Sequence, residues 1–169
     1  NGGVTVSGGE PLIQTKFLIE LFKKLKELNI HTAIDTSGSI PINDDIKELL
    51  KNTDLVLLDI KHIDNTKCIE LTGVPNKNTI NFAKYLNENN IPMWIRQVLV
   101  PGITDDERDL LKLKEFISTL NNIEKVEILP YHDLGKNKWT SLGLNYPLDG
   151  IRTANIEDVK RANKILELE

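Results

Sequence analysis

The order of strand and helix patterns along this chain predicts an α/β fold, a parallel sheet forming an open or partial (β/α) barrel. Three observations carry that prediction. Five short apolar runs rich in β-branched residues alternate with helical patterns over the whole length, which is the signature of βα units. The chain has 169 residues, while a closed eight-stranded barrel takes about 200 or more. Polar residues gather where the runs end, and in parallel sheets that carboxyl rim is where ligands bind.

The expected strands are residues 4–6, 31–36 ("HTAIDT"), 55–61 ("LVLLDIK"), 93–100 ("MWIRQVLV") and 126–129. A run as apolar as "LVLLDI" fits a sheet covered on both faces. Between the first two runs, Leu18, Leu21, Phe22, Leu25 and Leu28 form an i, i+3, i+4, i+7 stripe over residues 15–28. Asn43 reads as the cap of a second helix, with Asp44 and Asp45 at its positive end. Residues 78–89 form a third. Thr104 to Glu107 reads as a capping box, with Leu110, Leu113, Ile117 and Leu120 on one face behind it. Asn155 caps the last helix, with Val159, Ala162 and Leu166 inward. Gly73 to Pro75 and Pro101-Gly102 read as turns. Trp94 and Trp139 read as packing residues, although Trp139 sits in a polar stretch. Residues 1–169 read as one domain, with no linker or low-complexity tract.

Bulk properties remove some function classes. The net charge is −4, and a nucleic-acid binder needs a basic stripe. No apolar run approaches the roughly 20 residues of a membrane helix. One cysteine, Cys68, permits no intrachain disulfide, holds no metal cluster alone, and suits a reducing cytoplasmic setting.

The strand ends carry the chemistry. Gly8, Gly9 and Glu10 follow the first run, Asp35 and Thr36 close the second, and Asp59 and Lys61 close the third. Arg96 lies inside the fourth with Val98 beyond it, and Tyr131 and His132 follow the fifth. Side chains alternate along a strand, so Asp59 and Lys61 share a face, as do Arg96 and Val98. Arg96 within so apolar a run requires an anionic partner, from the protein or from a ligand. A rim mixing Glu10, Asp35 and Asp59 with Lys61 and Arg96 suits a zwitterion better than a plain phosphate. His31 and His62 receive no role.

The segments "GGVTVSGGEPL", "HTAIDTSG", "DLVLLDIKH", "TGVPNKNTINFAKYLNENNIPMWIRQVLVPGITDD" and "VEILPYHDLGKNKW" together resemble the pyruvate formate-lyase activating enzymes. These are radical S-adenosylmethionine (SAM) enzymes acting on glycyl-radical enzymes. The resemblance runs through essentially the whole chain and implies a partial (β/α)6 barrel, of which five strands lie here. It places Gly8, Gly9 and Glu10 at the SAM amino group. Lys61 and Arg96 fall at the methionine carboxylate and ribose, and Val98 and His132 at the adenosine end. Asp35, Thr36, the Leu57 carbonyl and Asp59 fall around a monovalent cation.

The implied cofactors are SAM and a [4Fe-4S] cluster. The implied partners are pyruvate formate-lyase or a related glycyl-radical enzyme and a flavodoxin- or ferredoxin-type electron donor, in anaerobic metabolism. The expected chemistry is reductive cleavage of SAM to a 5′-deoxyadenosyl radical that takes hydrogen from a glycine. One departure stands out: the family's CxxxCxxC motif does not occur in this sequence. Its first strand matches the family's second, so the chain alone is expected to be inactive, with an open edge at residues 4–7 that invites pairing. The alternative is a non-catalytic module that holds an adenosyl ligand or docks a protein.

Overall fold

The computed structural model describes residues 2–168. Five strands form one parallel sheet in the order β1-β2-β3-β4-β5: Gly3–Val6, His31–Thr36, Leu55–Asp59, Met93–Leu99 and Ile123–Pro130. Seven α-helices follow or separate them: α1 Thr15–Glu27, α2 Asp44–Leu50, α3 Asn65–Thr72, α4 Lys77–Glu88, α5 Glu107–Ile117, α6 Lys136–Ser141 and α7 Ile156–Leu166.

Because the strand order never reverses, crossovers of one hand put their helices on the same side. The core lies on that side. Ile34, Val56, Leu58, Met93 and Ile95 meet Phe22, Leu49, Phe82 and Leu110 there, all essentially without solvent contact. Alternation sends Asp35, Leu57, Asp59, Arg96 and Val98 to the other face, where all five are half-buried. The expectation of two covered faces is therefore corrected. Leu55 and Leu57 line a concave face that the helices do not cover.

The expected fold class holds, with local corrections. β3 ends at Asp59 and Lys61 lies just past it. β5 begins earlier, at Ile123. Leu28 is the C-cap of α1 and is exposed, so it leaves the apolar stripe, which gains Ile19 instead. Thr104 is not the cap of α5. Its buried hydroxyl donates to the Val98 carbonyl and accepts from Val100 N–H, both at 2.7 Å. The cap is Asp106, which accepts from Arg108 N–H at 3.0 Å. Two helices carried no apolar stripe to betray them. α3 is held by Asp64 at its N-cap and by Gly73 in the left-handed region at φ 78°, and α6 contains Trp139, which the sequence suggested was in a loop. Asn43 and Asn155 cap α2 and α7 as expected. No described helix is long and apolar enough to cross a membrane.

Gly38 shows why the β2 exit is compact. With φ 60°, a Cβ there would come within 2.9 Å of the Leu58 side chain and 3.2 Å of Phe82. The chain can therefore turn tightly over the core just past Thr36.

Candidate functional site

Four strand ends with their loops meet at a cavity of about 380 Å³. Gly8, Gly9 and Glu10 come from the loop after β1, Asp35 and Thr36 from β2, Asp59 and Lys61 from the end of β3 and beyond, and Arg96 from β4. Ser7 and Ser37 join them. Neither serine was singled out from sequence. Their only signal was adjacency to Gly8 and Thr36.

Arg96 is the hub. Parallel register sets Asp59 opposite Arg96 and Asp35 opposite Leu57, so both carboxylates lean toward the guanidinium. Nε donates to Asp59 at 2.8 Å, Nη2 lies 2.8 Å from the same oxygen as an ion pair, and Nη2 donates to Asp35. Burial works against the charge of Arg96, but the two aspartates outweigh it and its pKa is raised. The required anionic partner is thus the protein itself. Lys61 Nζ pairs with Asp59 at 2.8 Å while its side chain stays 41% exposed, so it has room to turn toward a ligand.

Glu10 is held by four donors of the protein. One carboxylate oxygen accepts from Thr36 Oγ1 at 2.6 Å and from Leu12 N–H at 3.2 Å. The other accepts from Ser37 Oγ at 2.6 Å and Ser37 N–H at 3.1 Å. The side chain therefore ties the β1 loop to the end of β2 and caps a short 3-10 turn, Pro11–Gln14. The free acceptors lie next door. Gly8 and Gly9 hold φ 97° and 53°, and a Cβ on either would meet nothing within 4 Å. Their carbonyls accept no hydrogen bond among the described residues. Left-handed backbone suits glycine, and open space beside unpaired carbonyls suits a donor ligand.

The remaining expected residues sit apart from this cavity. Val98 lies two residues beyond Arg96 on the same face and outside the lining. Leu57 is half-buried beneath, in register with Asp35. His132 is exposed and does not line the cavity. Its neighbour Tyr131 is buried, and that burial with the Tyr146 hydroxyl at 2.8 Å pushes its phenol up to about 12. Buried His62 follows Lys61. Its Nδ1 accepts from Asp64 N–H at 3.0 Å, which leaves Nε2 facing the Ile103 carbonyl at 3.3 Å.

Metal and cluster chemistry finds less. Among the described residues no group of three or more His, Cys, Asp or Glu side chains is placed to hold a metal ion. Between Asp35 and Asp59 the resident positive charge is the Arg96 guanidinium. Cys68, the chain's one cysteine, is buried in α3 with Sγ 3.8 Å from Thr72 Oγ1. These residues do not fit an iron–sulfur cluster, which takes several thiolates.

Residues 2–113 match the radical SAM superfamily. The chain belongs to that superfamily. It is 55% identical over 166 residues to the pyruvate formate-lyase-activating enzyme of Staphylococcus epidermidis, covering 95% of this chain and 66% of that protein. The enzyme of the same name from Staphylococcus aureus gives 55% over 167 residues, with the same coverage. The chain thus spans about 66% of the length of these relatives. Among solved structures, it is similar to a domain of pyruvate-formate lyase-activating enzyme from Bacteroides vulgatus. That likeness has a TM-score of 0.81 at 29% identity, covering 99% of this chain and 94% of that one. Streptococcus suis SuiB, solved with its precursor peptide SuiA, shares the fold at a TM-score of 0.72 and 24% identity, covering 98% of this chain and 34% of SuiB. The superfamily places these five parallel strands in a partial (β/α) barrel, as the sequence led us to expect.

Proposed function

We propose that this chain holds SAM by its methionine head in the Gly8–Arg96 cavity, and that the whole protein activates a glycyl-radical enzyme, pyruvate formate-lyase. One observation carries the binding half: Gly8 and Gly9, whose carbonyls accept no hydrogen bond among the described residues, line the same cavity as Lys61 and Arg96. Acceptors on one side and cations on the other complement an ammonium and a carboxylate on one carbon. The curated relatives' names support the activase half.

Each residue then has a physical task. The glycine carbonyls take the ammonium. Lys61, with an exposed amine, swings to the ligand carboxylate. Arg96 stands behind it, its charge balanced and its plane fixed by Asp35 and Asp59. Glu10 holds the glycine loop at the β2 end rather than touching the ammonium. Val98, on the concave face, and His132, at the rim, are assigned to the adenosine end. SAM supplies, on reductive cleavage, a carbon radical able to take hydrogen from glycine. A flavodoxin- or ferredoxin-type protein is the electron donor we propose, in a cytoplasmic setting. A monovalent cation at Asp35, Thr36, the Leu57 carbonyl and Asp59 is part of the proposal, and tighter SAM binding in potassium than in tetramethylammonium buffer tests it.

Calorimetry of SAM on this chain tests the pocket. We expect a Kd of about 0.1–1 mM, or roughly 4–5.5 kcal/mol, with free methionine competing. Competition by adenosine alone would favour the adenosyl-ligand module instead, and no saturable binding would sink the pocket. For the activity, the protein expressed from the full reading frame should yield 5′-deoxyadenosine under reductant and a glycyl radical in pyruvate formate-lyase. Absence of 5′-deoxyadenosine with an intact cluster would overturn the activase assignment.

A further inference from the structure

We propose that a second cavity, between α3, the turn after β4 and the α6 segment, is a binding site for an organic cation with an apolar body. An alkylammonium or a guanidinium on an alkyl stem has that chemistry. The inference goes beyond the function proposed above and does not rest on it. The cavity is about 480 Å³, within the roughly 300–1,000 Å³ of small-ligand sites.

Its apolar walls include Leu71, Ile103, Trp139 and Tyr146, with Glu70 and Lys67 at its polar side. The Trp139 and Tyr146 ring centroids lie 6.1 Å apart with their planes at 63°. Two rings so inclined form a corner, and aromatic faces attract cations. The corner is braced from behind, because the Tyr146 hydroxyl bonds that of Tyr131, which is 5% exposed. A braced corner loses little freedom on binding.

The charges decide which ligand suits it. Lys67 Nζ sits 2.5 Å from Asp109. Lys112 is shared between Asp109 at 3.0 Å and Asp64 at 3.5 Å. Two ammoniums thus meet two carboxylates and neutralise one another. Glu70 is exposed and has no ion-pair partner among the described residues. The uncompensated charge at this cavity is negative. A carboxylate beside an aromatic corner over an apolar floor selects a cation over an anion or a neutral molecule.

Such a cation has two sources, a free amine or a Lys or Arg side chain of a polypeptide, and the test separates them. Trp94→Phe leaves Trp139 as the only tryptophan. In that background, benzyltrimethylammonium is titrated against indole fluorescence, with neutral benzyl alcohol as control. A capped tetrapeptide carrying one arginine forms a further arm. The expected result is saturable quenching by the cation, weakened about three- to tenfold in Glu70→Gln. Glu70 makes no hydrogen bond that its amide would break among the described residues, and circular dichroism checks that α3 persists. Tighter binding of the peptide assigns the site to a polypeptide side chain, and binding of the free cation alone assigns it to a small amine. Equal binding by benzyl alcohol, unchanged binding in Glu70→Gln, or no saturation by any of these probes overturns the proposal.

Discussion

Arg96 illustrates how one residue organises a site. Its side chain is 14% exposed, a position where a lone charge is costly, yet Asp35 and Asp59 each bond it. Removing the guanidinium leaves two carboxylates facing each other. Arg96→Leu should therefore lower stability by about 2–3 kcal/mol, toward the small end for a broken buried pair because water reaches one side. Arg96→Lys should lose less, since charge remains but the fork of donors does not. Urea midpoints at constant slope measure both. Glu10 makes a different demand. Glu10→Ala deletes three acceptor contacts linking the β1 loop to the end of β2 and a fourth to Leu12 N–H within the loop, and a loss of about 1–3 kcal/mol is expected. If Glu10 contacted the ligand ammonium instead, the variant would lose SAM affinity with little change in its urea midpoint.

Among the elements, caps set the ends on which the rim depends. Asn155 accepts from Glu157 and Asp158 N–H, while Asp158 accepts from Asn155 N–H at 2.8 Å. Asn155→Ala should cost about 1 kcal/mol, seen as faster amide exchange in the first turn of α7. Asp158 also takes two bonds from Arg152 at 2.6 and 2.8 Å. Arg152, and after it the Asn155 amide, hold the Asp158 carboxyl well below the usual carboxylate range. A depressed folded pKa stabilises above the unfolded value, near 3.9, and that stabilisation fades as pH falls through the folded pKa. Asp158→Asn should therefore flatten the acid dependence of unfolding below about pH 4. A variant with the same acid slope as the parent would contradict this.

For the whole molecule, the sign is the same for many groups. Glu48, Asp54, Asp64, Asp109 and Asp149 are all lowered in the folded chain. Lys51, Lys67, Lys112 and Lys136 are raised by their carboxylate partners. The acids contribute above about pH 4 and the lysines contribute below about pH 10.4, with loss as pH rises through their folded values. Melting temperature should thus hold a plateau between those limits and fall on both sides. β1 lies at one edge of the described sheet, and an edge strand offers unpaired backbone to another chain. Sedimentation should show concentration-dependent self-association, and a strict monomer at high concentration would count against it.

The sequence by itself determined the βα order, five strands, the caps at Asn43 and Asn155, and the set of rim residues from Gly8 to Arg96. Those features follow from local periodicity, cap chemistry and strand-end position, which a linear chain displays. Three others needed the tertiary structure. Glu10 spends its acceptors on Thr36 and Ser37, some 26 residues away. Arg96 is satisfied by aspartates from two other strands. Leu55 and Leu57 lie on an uncovered concave face because unreversed strand order puts the helices of the core on the other side. Partner choice and face coverage depend on register and crossover hand, and these exist only once the strands pair.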